Sequence, residues 1–263
     1  MSQTIKMLKY DFPNHDYIDI FAIADMHIGH EGFNEPEFQR LIRFILSDEH
    51  NYIVLAGDLT DNQIKSSVGS PFESTMRPSE QRKYAAELLQ PLKDRILCAV
   101  PGNHEEKSVK ETDTNPLEMI MDRLDMADKY KRDQAYLNIS VGRRRNHEQT
   151  PPNYAICVMH GKSGGKTAGA GLTASDWTAA TSGADLFITA HTHKPSTFAG
   201  ARFICNAGKS IMMQRSYQLL ICTSWLDYVG YGVRGMYRPT PIVINRATLY
   251  GTEYSIETHQ RTR

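Results

Sequence analysis

Two carboxylates, one asparagine and five histidines stand at the ends of apolar, strand-like runs in this chain: Asp25-Met26-His27, Gly57-Asp58, Gly102-Asn103-His104, His160-Gly161 and His191-Thr192-His193. Carboxylate, imidazole and amide oxygen are what divalent cations of borderline hardness take as ligands, and two ions about 3.5–4 Å apart need a carboxylate to bridge them. Asp58 is the best bridge, because Gly57 lets the backbone turn its carboxylate into a crevice. Asp25 and His27 lie two positions apart, so a strand end can aim both at one ion, and His191 and His193 repeat that spacing. Each signal is weak alone: an Asp-x-His at a strand end is more often a cap or a turn. The order and context of the whole set carry the reading. A pair of cations sharing a solvent molecule lowers its pKa to give hydroxide near neutral pH, and both ions offset the charge that develops on an attacked phosphoryl group.

Ligands so far apart in sequence meet only if several strands end at one edge of a sheet, as they do at the carboxyl edge of a parallel sheet. The first half of the chain alternates strand and helix patterns in the manner of parallel βαβ units. Strands are expected at 17–25, 52–58 and 95–100. A helix at 35–49 carries Phe38, Leu41, Ile42 and Ile45 at helical spacing; another at 79–90 starts on a Ser79 cap and stops at Pro91. A third, at 116–131, has proline in its first turn and Leu117, Ile120, Met121 and Leu124 on one face. Shorter strands follow at 135–141, 154–160, 185–191, 201–206, 219–225 and 242–249, with a helix at 172–181 and a last alternating stretch through Ile256; the polar tail is left unassigned. The expected fold is α/β, a four-layer α-β-β-α sandwich of two mixed β-sheets flanked by helices, forming a single domain over residues 1–263.

Composition allows a full core, at 40% hydrophobic residues in 263. Thirty basic residues balance thirty acidic ones, so any contact with nucleic acid must come from a local patch instead of a global field. No signal-peptide run and no membrane-length apolar stretch occur, which points to a cytoplasmic protein with no membrane partner. Cys98, Cys157, Cys205 and Cys222 sit singly in apolar runs and read as buried free thiols. Oligomeric state is open.

The series DMH, GDLTD, GNHE, MHG and AHTH, over residues 25–193, resembles the calcineurin-like metallophosphoesterases, with an echo at 206–210 (NAGKS). The family usually has glycine before the His-x-His; here it is Ala190, small enough for the loop to survive with some backbone shift. The resemblance implies one ion held by Asp25, His27 and His193, a second held by Asn103, His160 and His191, and Asp58 between them. It further implies that His104 is the catalytic histidine, giving a proton or hydrogen bond to the leaving oxygen, and that Asp61 is the carboxylate orienting it. The Asp-x-His-Ile-Gly form of the first motif is similar to the repair-exonuclease branch, which implies a phosphodiesterase acting on nucleotide or nucleic-acid phosphodiesters. Cyclic nucleotides, phosphomonoesters and phosphoproteins stay open, since these ligands are shared across substrates. Oxygen and imidazole without thiolate suit Mn²⁺, with Fe, Zn²⁺ or Ni²⁺ as alternatives.

Two rivals belong to other classes. A catalytically silent scaffold of the same fold is disfavoured by the intact ligand set. A P-loop is suggested by Gly161-Lys162-Ser163-Gly164-Gly165-Lys166-Thr167, but the position where that motif needs its first glycine is His160. This glycine-rich segment reads instead as a loop beside the metals. Lys162, Lys166, Lys209 and Arg215 are candidates to touch substrate phosphate, and Arg143-Arg144-Arg145 to touch a nucleic-acid backbone, though such residues are more often solvated surface, the arginine run a hairpin tip. Trp177, Trp225, Tyr228, Tyr231 and Tyr237 are candidates to stack a base, though such residues are usually core. His30, His50 and His147 have no partner legible in sequence and read as surface residues.

Overall fold

Strand burial follows sheet position. Strands whose side chains are buried on both faces belong inside parallel stretches, and strands with strict alternation belong where one face is open. The computed structural model describes residues 4–67, 71–143, 150–162 and 182–262, together with positions 167, 169, 172 and 176. One sheet has five strands in the order β11-β10-β2-β3-β4, formed by β2 (Tyr17–Ile23), β3 (Asn51–Leu55), β4 (Ile96–Ala99), β10 (Val243–Tyr250) and β11 (Ile256–Thr262). The other has six in the order β1-β5-β6-β7-β9-β8, formed by β1 (Leu8–Phe12), β5 (Ala135–Val141), β6 (Asn153–Val158), β7 (Leu186–Thr189), β8 (Ser196–Asn206) and β9 (Ile211–Ile221). Both are mixed: β2, β3 and β4 run parallel, as do β6, β7 and β9, while β10 and β8 enter antiparallel.

The sheets pack face to face through Ile18, Ile20, Val54 and Leu97 on one side and Leu137, Ile156, Leu186 and Leu220 on the other. Helices α1 (Glu35–Leu46), α2 (Pro78–Leu89) and α4 (Pro116–Arg123) cover the outer face of the five-stranded sheet, burying Phe38, Leu41, Leu89, Leu117 and Ile120 against Phe21, Ile53 and Leu55. A smaller apolar cluster, with Phe187 and Leu219 at its centre and Leu172 packed on it, lies on the far face of the six-stranded sheet. The expected helix at 172–181 falls almost wholly outside the described residues. No described helix is long and apolar enough to cross a membrane.

Several expectations are corrected. Arg77 caps α2 in place of Ser79: Pro78 takes the first helical position, and the Glu80 carboxylate accepts the Arg77 backbone N–H at 2.9 Å. The helix expected to reach residue 131 stops at Arg123, where Asp125 turns left-handed at φ 54°, and the chain returns to place Tyr130 beside Ala99. β1 and β11 were not foreseen, because polar outer strands lack the apolar run of a buried one. Helix α3 (Asn103–Thr112) was missed for a related reason: its NHEEKSVKET sequence has no apolar stripe, and its buried positions are Glu105 and Ser108. Cys205 is exposed, unlike the other three cysteines. His50 is partnered, with Nδ1 at 2.7 Å from Asp48 and its ring stacked on Tyr17.

The sheets are also tied by Tyr154, fully buried on β6, whose hydroxyl lies 2.6 Å from the Tyr250 carbonyl and accepts the Ser255 N–H at 3.1 Å, holding the β10–β11 turn. Tyr154→Phe leaves those turn groups unpaired, and denaturant unfolding is expected to show a loss of about 1–3 kcal/mol.

Candidate metal centre

The loops beyond β2 and β3 continue the parallel ladder past the strand ends. Asp25 N–H donates to the Gly57 carbonyl, His27 N–H to Asp58 and Ile28 N–H to Leu59, each at 3.0 Å. The motifs GDLTD and DMH are therefore neighbours along one edge, as parallel strand tips require. Of the ten described non-glycine residues with positive φ, five are expected ligands: Asp25, His27, Asp58, His191 and His193. A left-handed residue costs roughly 1–2 kcal/mol, so this strain is concentrated where function can use it.

The expected ligands converge. Ligand atoms of Asp25, His27 and His193 form one cluster, those of Asp58, His160 and His191 a second, and those of His27, Asp58 and His104 a third, the atoms of each lying within 4.8 Å of one another. Asn103 Oδ1 lies 3.2 Å from His160 Nε2, which places the asparagine on the second cluster. His27 Nε2 and His193 Nε2 stand 3.1 Å apart, and Asp58 Oδ2 is 3.1 Å from His160 Nε2. Asp25 Oδ1 is fully buried and accepts no hydrogen bond, although its other oxygen takes the His191 N–H at 3.0 Å. A buried acceptor left open amid imidazole nitrogens is what a cation site of this donor set requires, so the residues fit a pair of divalent ions.

Supporting contacts set orientation. His160 Nδ1 donates to the Ala56 carbonyl at 2.7 Å, so Nε2 is the nitrogen turned to the cluster. Glu105, at 0% exposure, accepts the backbone N–H groups of Asp58, Leu59 and Gly102 at 2.9 Å and of Thr60 at 3.2 Å. Asp58 Oδ1 in turn accepts the His104 N–H at 2.8 Å from the first turn of α3. A side chain at position 102 would put its Cβ 2.1 Å from Asp58 Oδ1, so this close approach demands glycine. Ala190, where the resembled family has glycine, buries its methyl between the sheets and keeps its N–H on the His160 carbonyl at 2.8 Å.

Electrostatics of the cup are strongly coupled. Burial alone would raise the Asp58 carboxyl, but the His160 imidazole, with His104 and His27 behind it, holds it well below its usual value. Burial would lower His160, yet the Asp58 charge and hydrogen bond push it up to about 10. His27 is driven well down by burial and by the nearby His104.

His104 is held differently from the expected scheme. Its Nδ1 donates to the backbone carbonyl of Asp61 at 2.6 Å, while the Asp61 carboxylate stands 3.6 Å away and also faces His27 at 3.8 Å. The cluster floors a cavity of about 310 Å³ whose described lining cations are Lys107 and Arg234, the latter paired with Glu73 at 2.8 Å. The phosphate-contact candidates lie elsewhere: Arg215 pairs with Asp185 at 2.7 Å, Lys209 sits in the β8–β9 turn, exposed Lys162 does not line the cavity, and Lys166 is outside the described residues. The 206–210 echo is thus a hairpin turn. Arg143 binds Asn14, and Arg144, Arg145, His147 and Trp177 are outside the described residues. Trp225 is core, edge-on to Phe38. His30 lines the cavity. Sequence reasoning missed Glu105, Lys107 and Arg234; Glu105 had a signal, a glutamate at the third position of a helix.

A family profile described as calcineurin-like phosphoesterase matches residues 18–195. The chain is also similar to the DNA polymerase II small subunit of Thermoplasma acidophilum, 26% identical over 108 residues, a stretch covering 38% of this chain and 22% of that protein.

Glu105→Gln brings an amide N–H against a backbone donor; it is expected to lower stability by about 1–3 kcal/mol in denaturant unfolding and to weaken Mn²⁺ binding in calorimetric titration. His160 must give up the proton it keeps to about pH 10, so Mn²⁺ affinity is expected to rise with pH through neutrality, by about tenfold per pH unit for each proton displaced. A flat calorimetric pH profile would count against His160 as a ligand.

Proposed function

Because the chain belongs to the calcineurin-like phosphoesterase family, we propose that it hydrolyses phosphoester bonds with two divalent ions, as a phosphodiesterase on nucleotide or nucleic-acid substrates. One observation carries the reading: the Asp58 carboxylate joins two clusters, one with His27 and His104 and one with His160 and His191, as a bridging ligand would. Asp25, His27 and His193 would hold one ion, and Asn103, His160 and His191 the other. The ions, Mn²⁺ first and Fe, Zn²⁺ or Ni²⁺ as alternatives, supply an acidified water and charge neutralisation when bound.

The chain's own residues do the rest. His104 shows Nε2 to the cavity, because a carbonyl can only accept and so fixes the hydrogen on Nδ1. Protonation of the ring then adds its second hydrogen at Nε2, and the imidazolium can hand that proton to the leaving oxygen, returning to the neutral Nδ1–H form. Asp61 contributes its carbonyl to that arrangement and its carboxylate to the field between His27 and His104. Lys107 and Arg234 are the cavity cations suited to a neighbouring phosphate, which supports a diester with more than one phosphate. The similarity to a DNA polymerase subunit supports a nucleic-acid context.

Hydrolysis of bis-p-nitrophenyl phosphate is expected to exceed that of p-nitrophenyl phosphate with Mn²⁺ and to vanish with chelator. Inactivity with every one of these metals would favour the scaffold. Asp58→Ala is expected to abolish binding of both ions in calorimetry. His104→Ala is expected to keep the ions but lose about a hundredfold or more in turnover of a dinucleotide.

A further inference from the structure

Asn62, one residue after Asp61, is used by none of the chemistry above, yet it is only 1% exposed and sits at φ 46°. Asparagine tolerates this left-handed region better than most residues. Its Nδ2 donates twice, to the His104 carbonyl at 2.7 Å and to Ser108 Oγ on the next turn of α3 at 2.8 Å. Its backbone N–H donates to Gln81 Oε1 at 2.8 Å, and Gln81 is 0% exposed on α2. Gln81 Nε2 then donates to Ser74 Oγ at 3.0 Å and to the Met76 carbonyl at 2.9 Å, and Ser74 lines the cavity.

His104 is therefore gripped at both ends by one dipeptide. The Asp61 carbonyl holds the imidazole, and the Asn62 amide holds the main chain of the same residue. The orientation of the Asp61–Asn62 peptide decides where that carbonyl points, and the Asn62 contacts decide the orientation of the peptide. We propose that Asn62, locked in place by Gln81, is a positioning residue that aims the His104 Nε2 at the leaving oxygen. The proposal rests on the reading of His104 as proton donor. Aspartate at this position has nearly the same shape but donates nothing, so its carboxylate would repel the His104 carbonyl and release the grip.

Leaving-group dependence tests this on the full chain loaded with Mn²⁺. A p-nitrophenolate leaves without a proton, whereas the alcohol of a dinucleotide needs one. Asn62→Asp is expected to lose about tenfold more activity on a dinucleotide than on bis-p-nitrophenyl phosphate, His104→Ala to show the same bias more strongly, and the double variant to be no worse than His104→Ala. Gln81→Met is expected to show a weaker version of this bias and serves if Asn62→Asp fails to fold. Nitrogen NMR of the metal-free protein gives a readout apart from turnover: with the ring made neutral at alkaline pH, His104 is expected as the Nδ1–H tautomer in the parent and as a mixture in the variant. Bias in His104→Ala without bias in Asn62→Asp or Gln81→Met, or additive losses in the double variant, would overturn the positioning role alone. Absence of bias in His104→Ala would overturn the proton-donor reading and this inference with it.

Discussion

One buried carboxylate, Glu105, ties together two of the loops that meet at the candidate centre. Its oxygens accept N–H groups from Asp58, Leu59 and Thr60 after β3 and from Gly102 after β4. All these partners are donors, so the ionised acid suits them, although burial and the adjacent Asp58 charge raise its pKa. Through this knot Asp58 and the α3 residues Asn103 and His104 share one frame. The glycine at 102 allows the approach, and the Asp58 carboxylate then takes the His104 N–H.

That frame also holds the charges in an arrangement that asks for cations. Asp25 and Asp58 are fully or nearly fully buried beside five imidazoles. Without metal, protons must do the neutralising, and the His160–Asp58 pair retains one to high pH. Metal binding there would exchange protons for ions and couple affinity to pH. The left-handed turns at Asp25, His27, Asp58, His191 and His193 are a second cost, kept because the surrounding ladder over-determines those backbones.

The sheets explain why the expected ligands arrive together. β2, β3 and β4 are adjacent and parallel in one sheet; β6, β7 and β9 are adjacent and parallel in the other, and the two sheets face each other across a single apolar layer. Motifs separated by up to 166 positions, such as Asp25 and His191, are thus brought to hydrogen-bonding distance. Helices on the outer face of the five-stranded sheet keep β2, β3 and β4 dry on both sides, which is why those three read as largely apolar runs.

The order of ligand types and the apolar runs before them were enough to determine the α/β class, the crowded strand edge and the set of residues that meets there. Those features are local: a strand's burial and the turn after it are written in a few consecutive residues. Strands β1 and β11 and helix α3 were not legible: β1 alternates over only five residues, and β11 and α3 are polar and carry no apolar run. The grip on His104 by the Asp61 carbonyl, the Asn62–Gln81 network and the cavity cations Lys107 and Arg234 were decided by tertiary structure alone. A backbone carbonyl has no sequence signature, and a hydrogen bond between distant side chains exists only once the fold has set the distance and angle between them.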